Sequence, residues 1–299
     1  MCRRPRSDMG RKRAASICLA AFGLLIGAAM IAYPAMSSWL HQQAQNRVVQ
    51  QQGAEIRRNS DTKLVEERAR AIAYNERLRA GGPSVSDSFG SSAARSTDAE
   101  YDAIMNLSGD GVMGTLIIPA IDFTMPIYHG VAKTTLQQGV GHLPGTSLPI
   151  GGPSTHAVLS GHTGLPSARI FDDLDRVRVG DYFVVAALGE DHAYRITSIE
   201  VVRPDETDSL RVREGADLVT LVTCTPYGVN THRLLVHGER CPVPDEWGRH
   251  ERSEASRAGR GASLDAELLR SMAIGAAAAV IISLFLIFWS RRRSRRHRS

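Results

Sequence analysis

Short apolar runs, several of them alternating with polar residues, fill the middle of the chain and predict β-strands. The runs cover residues 115–119, 125–128, 155–160, 182–186, 193–202, 218–223 and 233–238. Short helical stretches fit residues 134–138 and 170–177. Seven or eight short strands with few helices are typical of a closed β-barrel. The pattern therefore predicts a mainly β domain with short helices, folded as a closed or nearly closed β-barrel.

A polar, helix-prone segment precedes the barrel at residues 36–108. Its first part carries apolar residues only every six to eight positions. These are Val49, Ile56, Leu64, Ile72 and Leu78. A stripe this thin is suited either to lie on another domain or to hold that domain away from a membrane, and the sequence leaves both open. A Gly- and Ser-rich loop follows at residues 81–92, with Phe89 as its single aromatic side chain.

Two long apolar runs flank these regions. Residues 14–35 and 272–289 contain no charged side chain, and a helix needs about 20 residues to cross the hydrocarbon of a bilayer. We predict a transmembrane helix from each run, with a linker at residues 244–271 before the second. A cleavable signal peptide is the alternative for the first run. No clean Ala-x-Ala cleavage site follows that run, so the sequence favours an uncleaved anchor.

The basic residues concentrate in two tails, residues 1–13 and 290–299. The whole chain has a net charge of +5, yet the part between the tails is net acidic. Nucleic-acid-binding proteins usually carry their basic stripe on the folded domain, so nucleic acid is not an expected partner. Basic residues mark the cytoplasmic ends of membrane helices. The sequence thus predicts a cell-membrane protein with two spans, both termini in the cytoplasm and residues 36–271 outside it.

Three side chains that could carry chemistry lie at predicted strand ends. Cys224 follows one strand, Arg233 begins the next, and His162 follows a third. A thiol, an imidazole and a cation are the parts of a thiol acyl-transferase: nucleophile, general acid or base, and clamp for an oxyanion or substrate. Their spacing alone equally allows a buried structural cysteine, a surface histidine, or a disulfide between Cys224 and Cys241.

The stretch Thr220–Cys224, with Arg233 nine residues later, resembles the TLxTC…R signature of sortases. Leu159–His162 matches their histidine segment. Further segments resemble class C, the pilin-polymerising branch, and cover residues 111–119, 126–130, 139–149, 161–168 and 224–233. The two predicted spans also resemble class C, because the housekeeping branch usually has one. The resemblance covers most of residues 109–243 and implies a sortase-like closed eight-stranded β-barrel there, in a Gram-positive bacterium.

Such an enzyme would recognise an LPxTG-type sorting signal on a secreted pilin or surface protein. The resemblance implies that the thiolate of Cys224 attacks the carbonyl of the Thr–Gly bond. His162 would protonate the departing amine and later deprotonate the incoming one, and Arg233 would donate hydrogen bonds to the oxyanion or to the signal's backbone. A pilin lysine amine would then resolve the thioester and form an isopeptide bond. No metal or organic cofactor is implied.

Class C sortases also tend to carry a lid, a loop whose Asp-Pro-aromatic motif covers the cysteine. Asp87 and Phe89 match this motif within the loop at residues 81–92. The resemblance implies that Asp87 pairs with Arg233 and that Phe89 lies over Cys224. Ser88 stands where proline is usual, so the turn is less fixed in advance.

Thr223 and Thr225 flank the cysteine, and they either help to hold the substrate backbone or are ordinary strand residues. Three further histidines lack the spacing of metal ligands, namely His129, His142 and His156. Two other functions stay open. One is a sortase that anchors surface proteins to peptidoglycan, and the other is a non-catalytic surface module on a sortase-like barrel.

Overall fold

The barrel strands are all found in the computed structural model, which describes residues 8–81, 89, 98–165 and 168–248. The strands are β1 (Val112–Ile118), β2 (Phe123–His129), β3 (Val140–His142), β4 (Thr155–Ser160), β5 (Tyr182–Ala187), β6 (Glu190–Val202), β7 (Asp217–Thr225) and β8 (His232–Arg240). The helices are α1 (Asp8–Arg58), α2 (Asp61–Gly81), α3 (Ala99–Ala103) and α4 (Lys133–Gln138). The mainly β fold with short helices is therefore confirmed.

The eight described strands close in the order β1-β2-β3-β4-β7-β8-β6-β5. β2 pairs with β3, and β4 with β7, in parallel, while the other neighbours are antiparallel. The apolar pattern missed β3, because its three residues are too few to show a period. The helix expected at residues 170–177 is only a 3-10 turn, Leu174–Arg176.

The strands carry apolar side chains on both faces. One face forms the main core of the barrel, which includes Leu159, Leu221 and Val236. Because side chains alternate along a strand, the intervening residues lie on the opposite face. They join residues of α4 and of the loops in what we call the second apolar cluster. Its members are Val131, Leu136, Leu143, Val158, Leu210, Val222 and Leu235.

Residues 40–81 dock on the barrel, which settles the choice between docking and spacing. The contacts are both polar and apolar: Ile56 and Leu64 of the expected stripe lie next to Gly189, between β5 and β6, and Ala71 belongs to the main core. Gln45 Oε1 accepts a hydrogen bond from the Tyr128 hydroxyl at 3.0 Å, and Gln52 Oε1 accepts one from Thr115 at 3.1 Å. In α2, Asn75 accepts from the Leu148 N–H at 2.7 Å and donates to the Leu148 carbonyl at 3.2 Å. Ile72, a member of the expected stripe, is exposed.

The described N-terminal helix has one segment, beginning at Phe22, that is long and apolar enough to cross a membrane by length and composition. The part of α1 before Leu40 lies outside the compact unit that holds the barrel. The second predicted span, residues 272–289, lies outside the described residues.

The chain stays packed against the barrel beyond the expected boundary at residue 243. Trp247, assigned to the linker by the sequence, is buried against Ile117, Val184 and Ala193. Its Nε1–H donates to Asp191 Oδ2 at 2.7 Å. Burial of a large aromatic ring with its polar atom satisfied is the physical reason why the barrel packing continues to this residue.

Candidate active site

Cys224 and Arg233 lie directly opposite each other across the antiparallel pair β7–β8. Both are close to the turn between the strands, and each is 9% exposed. Arg233 Nη1 donates to the carbonyls of His232 at 3.1 Å and of Asn230 at 3.2 Å. The guanidinium is thus held at the turn between β7 and β8, at the end of the barrel where β7 places the thiol.

His162 reaches the same end of the barrel because β4 runs parallel to β7. Ser160 is in register with Val222, and the Gly161 N–H donates to the Val222 carbonyl at 3.0 Å. Burial, followed by the positive charge of Lys133, lowers the pKa of His162 from its usual value. The imidazole is therefore more readily neutral than that of a solvated histidine.

Two threonine hydroxyls connect the histidine loop to the strand of the cysteine. Thr223 Oγ1 donates to the Gly161 carbonyl at 2.7 Å and lies 2.6 Å from Thr163 Oγ1. Thr223 is only 2% exposed. Its hydroxyl contacts the loop on both sides of His162, so Thr223 braces this loop, and its part in holding the substrate backbone stays a prediction. Thr225, one residue after Cys224, is half-buried.

The histidine loop also folds back on residues 171 and 172. The Phe171 N–H donates to the His162 carbonyl at 2.9 Å, and the Gly164 N–H donates to Asp172 Oδ1 at 2.7 Å. A Cβ atom on Gly161 would lie 2.6 Å from the Phe171 ring, so a larger residue does not fit there. The glycine before the histidine is the sequence signal for this close packing.

Phe89 is the described residue of the expected lid, and it contacts two of the three candidate catalytic side chains. Its ring centroid lies 5.3 Å from that of His162. The Arg233 Cζ lies 5.1 Å from the Phe89 ring centroid, within the range of a cation–π contact. Phe89 also packs against the second apolar cluster. Asp87, the other expected lid residue, lies outside the described residues.

The second apolar cluster borders the cysteine. Val222 lies two residues before Cys224, and Leu235 two residues after Arg233, so all four occupy one face of the sheet. The sequence did not reveal this cluster, because its other members come from distant segments of the chain.

The cysteines exclude one alternative. Cys224 and Cys241 are both free thiols, so the disulfide considered from the sequence is wrong. Cys241 instead packs beside Trp247. Among the described residues, no three His, Cys, Asp or Glu side chains are grouped as metal ligands.

A sortase domain matches residues 116–241, which include the end of β1 and all of β2 to β8. The chain is 29% identical over 154 residues to sortase A of Streptococcus agalactiae and 24% identical over 128 residues to sortase A of Bacillus anthracis. These matches cover 50% and 43% of this chain. The chain spans 62% and 59% of the length of these two relatives.

Solved structures extend the likeness. Sortase C-1 of Actinomyces oris is 50% identical, with a TM-score of 0.57, over 60% of this chain and 99% of that one. Sortase C-1 of Streptococcus pneumoniae is 40% identical, with a TM-score of 0.61, over 66% of this chain and 100% of that one. These two structures confirm the class C resemblance drawn from the motifs. With its barrel matched as a sortase domain and with these identities, the chain belongs to the sortase family.

Proposed function

We propose that this chain is a membrane-anchored cysteine transpeptidase that cleaves an LPxTG-type sorting signal between Thr and Gly and transfers the acyl group to a pilin lysine. One observation carries the proposal. Within the matched sortase domain, Cys224 and Arg233 face each other, and Phe89 contacts both Arg233 and His162. Nucleophile, cation and imidazole thus occupy one end of the barrel.

Each side chain has a step in the proposed reaction. The thiolate of Cys224 attacks the Thr carbonyl, and Arg233 donates hydrogen bonds to the oxyanion or to the signal's backbone. As the tetrahedral intermediate collapses, His162 gives a proton to the leaving glycine amine, which leaves a thioester. The acceptor amine then attacks the thioester, the now neutral His162 takes its proton, and the Cys224 thiolate is released as the new amide bond forms.

The surroundings of the site support a peptide substrate with apolar residues. The second apolar cluster lies on the same face as Cys224. Apolar side chains of a sorting signal can be buried there next to the thiol. The bracing hydroxyl of Thr223 keeps the histidine loop beside this surface. In the proposal, Phe89 and Asp87 form a lid that the signal displaces.

The proposed setting is the cell membrane. The N-terminal helix with a membrane-spanning composition supports one anchor. Residues 272–289 would supply the second, with residues 1–13 and 290–299 in the cytoplasm and the barrel outside.

Intact-mass spectrometry tests the nucleophile and the signal together. The full chain in detergent, carrying Phe89→Ala to open the lid, is incubated with an LPxTG peptide. We expect an added mass equal to the peptide up to its threonine, absent in the matched Cys224→Ala protein. No adduct on a Cys224 that a small reagent still alkylates would contradict the proposed signal. No adduct and no alkylation would contradict the proposed nucleophile.

The acceptor is tested on the acyl-enzyme. A lysine-containing pilin peptide and a peptidoglycan cross-bridge peptide are offered at equal concentration. Faster release to the lysine peptide is expected for pilus assembly, whereas faster release to the cross-bridge would favour wall anchoring instead.

A further inference from the structure

A series of hydrogen-bonded polar side chains, which we call the polar chain, extends across three neighbouring strands of the barrel, next to the second apolar cluster. It links His156 on β4, Thr220 on β7 and His237 on β8. His156 Nε2 lies 2.7 Å from Thr220 Oγ1, which lies 2.8 Å from His237 Nδ1. At the other side of the ring, His156 Nδ1 lies 2.9 Å from the carbonyl oxygen of Arg211. The polar chain thus connects three strands to the loop between β6 and β7.

The position of every proton in this chain follows from its partners. A carbonyl oxygen only accepts, so Nδ1 of His156 carries the proton and donates to Arg211. Burial lowers the pKa of His156 to about 4, so its Nε2 is unprotonated and accepts from the Thr220 hydroxyl. The Thr220 oxygen then accepts from Nδ1–H of His237. Since Thr220 can point its one proton only at His156, the chain holds that ring in a single orientation.

The polar chain reaches the loop between β6 and β7 at the carbonyl of Arg211. Leu210, the preceding residue, is 5% exposed and is the member of the second apolar cluster that this loop contributes. The Leu210 N–H bonds to Thr207 and the Arg211 N–H to Asp208, both inside the loop. The guanidinium of Arg211 also pairs within the loop, with Asp208. Among the described contacts of Leu210 and Arg211, the bond from His156 is therefore the hydrogen bond that ties them to the barrel.

We propose that His156 is a positioning residue for substrate: its Nδ1–H holds the Arg211 carbonyl and so keeps Leu210 in the apolar surface beside Cys224. The inference rests on the proposed function, because it takes that surface as the place where apolar residues of the sorting signal bind. His156 does not touch the reacting atoms. Its loss weakens substrate binding and leaves the reactivity of the thiol unchanged.

Two amide substitutions separate the two bonds of the ring. The amide of asparagine can take the place of Nδ1 and keep the bond to Arg211, whereas that of glutamine can take the place of Nε2 and keep only the bond to Thr220. We expect His156→Gln to raise the KM for an LPxTG peptide about 10-fold, with kcat changed less than about 3-fold. His156→Asn should keep KM within about 2-fold of the parent protein. Equal KM values in both variants would overturn the proposal.

A substrate-free measurement separates this proposal from the proposed function. In the full chain in detergent, hydrogen exchange of the amides at residues 207–211 should be faster in His156→Gln than in His156→Asn. The alkylation rate of Cys224 should be the same in both. If no sorting peptide reacts but the exchange difference is present, the substrate assignment fails and the positioning contact stands. Equal exchange in both variants would remove the positioning contact itself.

Leu210→Ala provides a second route if His156→Gln does not fold. It removes the apolar side chain and leaves the polar chain intact. It should raise KM by a similar factor, and an unchanged KM would contradict the role given to Leu210.

Discussion

Phe89 connects the candidate lid to chemistry through ring contacts with His162 and Arg233. In the proposed lid, this ring shields Cys224, which is 9% exposed. We predict that a small thiol reagent alkylates Cys224 about 5-fold faster in Phe89→Ala than in the parent protein. This factor corresponds to about 1 kcal/mol of free energy for lid closure. Phe89→Leu is the matched control, because it keeps an apolar side chain on the second apolar cluster and should react at an intermediate rate. Equal rates in all three proteins would rule out the lid.

Thr223 braces the histidine loop of the candidate site. Its hydroxyl bonds the Gly161 carbonyl at 2.7 Å, so Thr223→Val leaves that carbonyl without this donor and loosens the histidine loop. We predict a drop of about 10- to 100-fold in kcat/KM, as expected for a small misplacement of a catalytic group. The alkylation rate of Cys224 should change less than about 2-fold.

Thr223→Ser is the control for this prediction, because it keeps the hydroxyl and should recover most of the activity. A serine variant as impaired as the valine variant would show that the methyl group matters and the hydrogen bond does not.

The sequence motifs identified Cys224, His162 and Arg233 as candidate catalytic residues, because each lies in a segment that resembles a sortase motif. The structure places these three at one end of the barrel. The bracing role of Thr223 was not predictable, because it depends on which face of β7 the hydroxyl occupies and on what lies opposite. The polar chain from His156 was hidden for the same reason, since His156 lies 55 and 64 residues from its two partners, Arg211 and Thr220.

At the scale of elements, short apolar runs in the sequence predicted seven of the eight described strands. β1 and β4 are buried at every residue, so it is the apolar run, and not an alternation, that identifies them. β3 was missed. Its place in the barrel is given by its parallel pairing with β2. The docking of α2 was left open by the sequence. It depends on buried polar residues, Glu67 and Asn75, beside the core residue Ala71, and polar residues in a sequence usually indicate a solvated surface.

Asn75 provides the test of that docking. It bonds both the N–H and the carbonyl of Leu148, and it is buried. Asn75→Ala leaves two backbone groups without these partners and should lower the free energy of unfolding by about 2–4 kcal/mol. Glu76→Ala, at the exposed neighbouring position, should change it by less than about 0.5 kcal/mol. Urea unfolding of the two variants decides, and equal stability would mean that α2 contributes nothing through this contact.

At the scale of the whole molecule, the folded barrel keeps buried histidines neutral. Burial lowers the pKa of His142 and of His156 to about 4 each. His142 is fully buried, and its Nε2 lies 2.8 Å from the Ser147 carbonyl while its Nδ1 lies 2.9 Å from the Tyr101 hydroxyl. The Ser147 carbonyl accepts a hydrogen bond from Nε2–H, and the Tyr101 hydroxyl donates one to Nδ1, so the neutral ring satisfies both partners.

These depressed pKa values give the stability a defined pH dependence. In the unfolded chain a histidine titrates near pH 6.5, so between pH 6.5 and 4 the unfolded state binds protons that the folded state does not. The stabilisation is therefore complete above about pH 6.5 and is lost as the pH falls toward 4, by on the order of 2–3 kcal/mol for one such histidine. We predict that urea unfolding of the full chain in detergent shows this decline. His142→Asn should be less stable at pH 7 but have a shallower slope between pH 6.5 and 4, smaller by the uptake of about one proton. A slope identical to that of the parent protein would contradict the assignment, because it would mean that His142 titrates alike in the folded and unfolded chain.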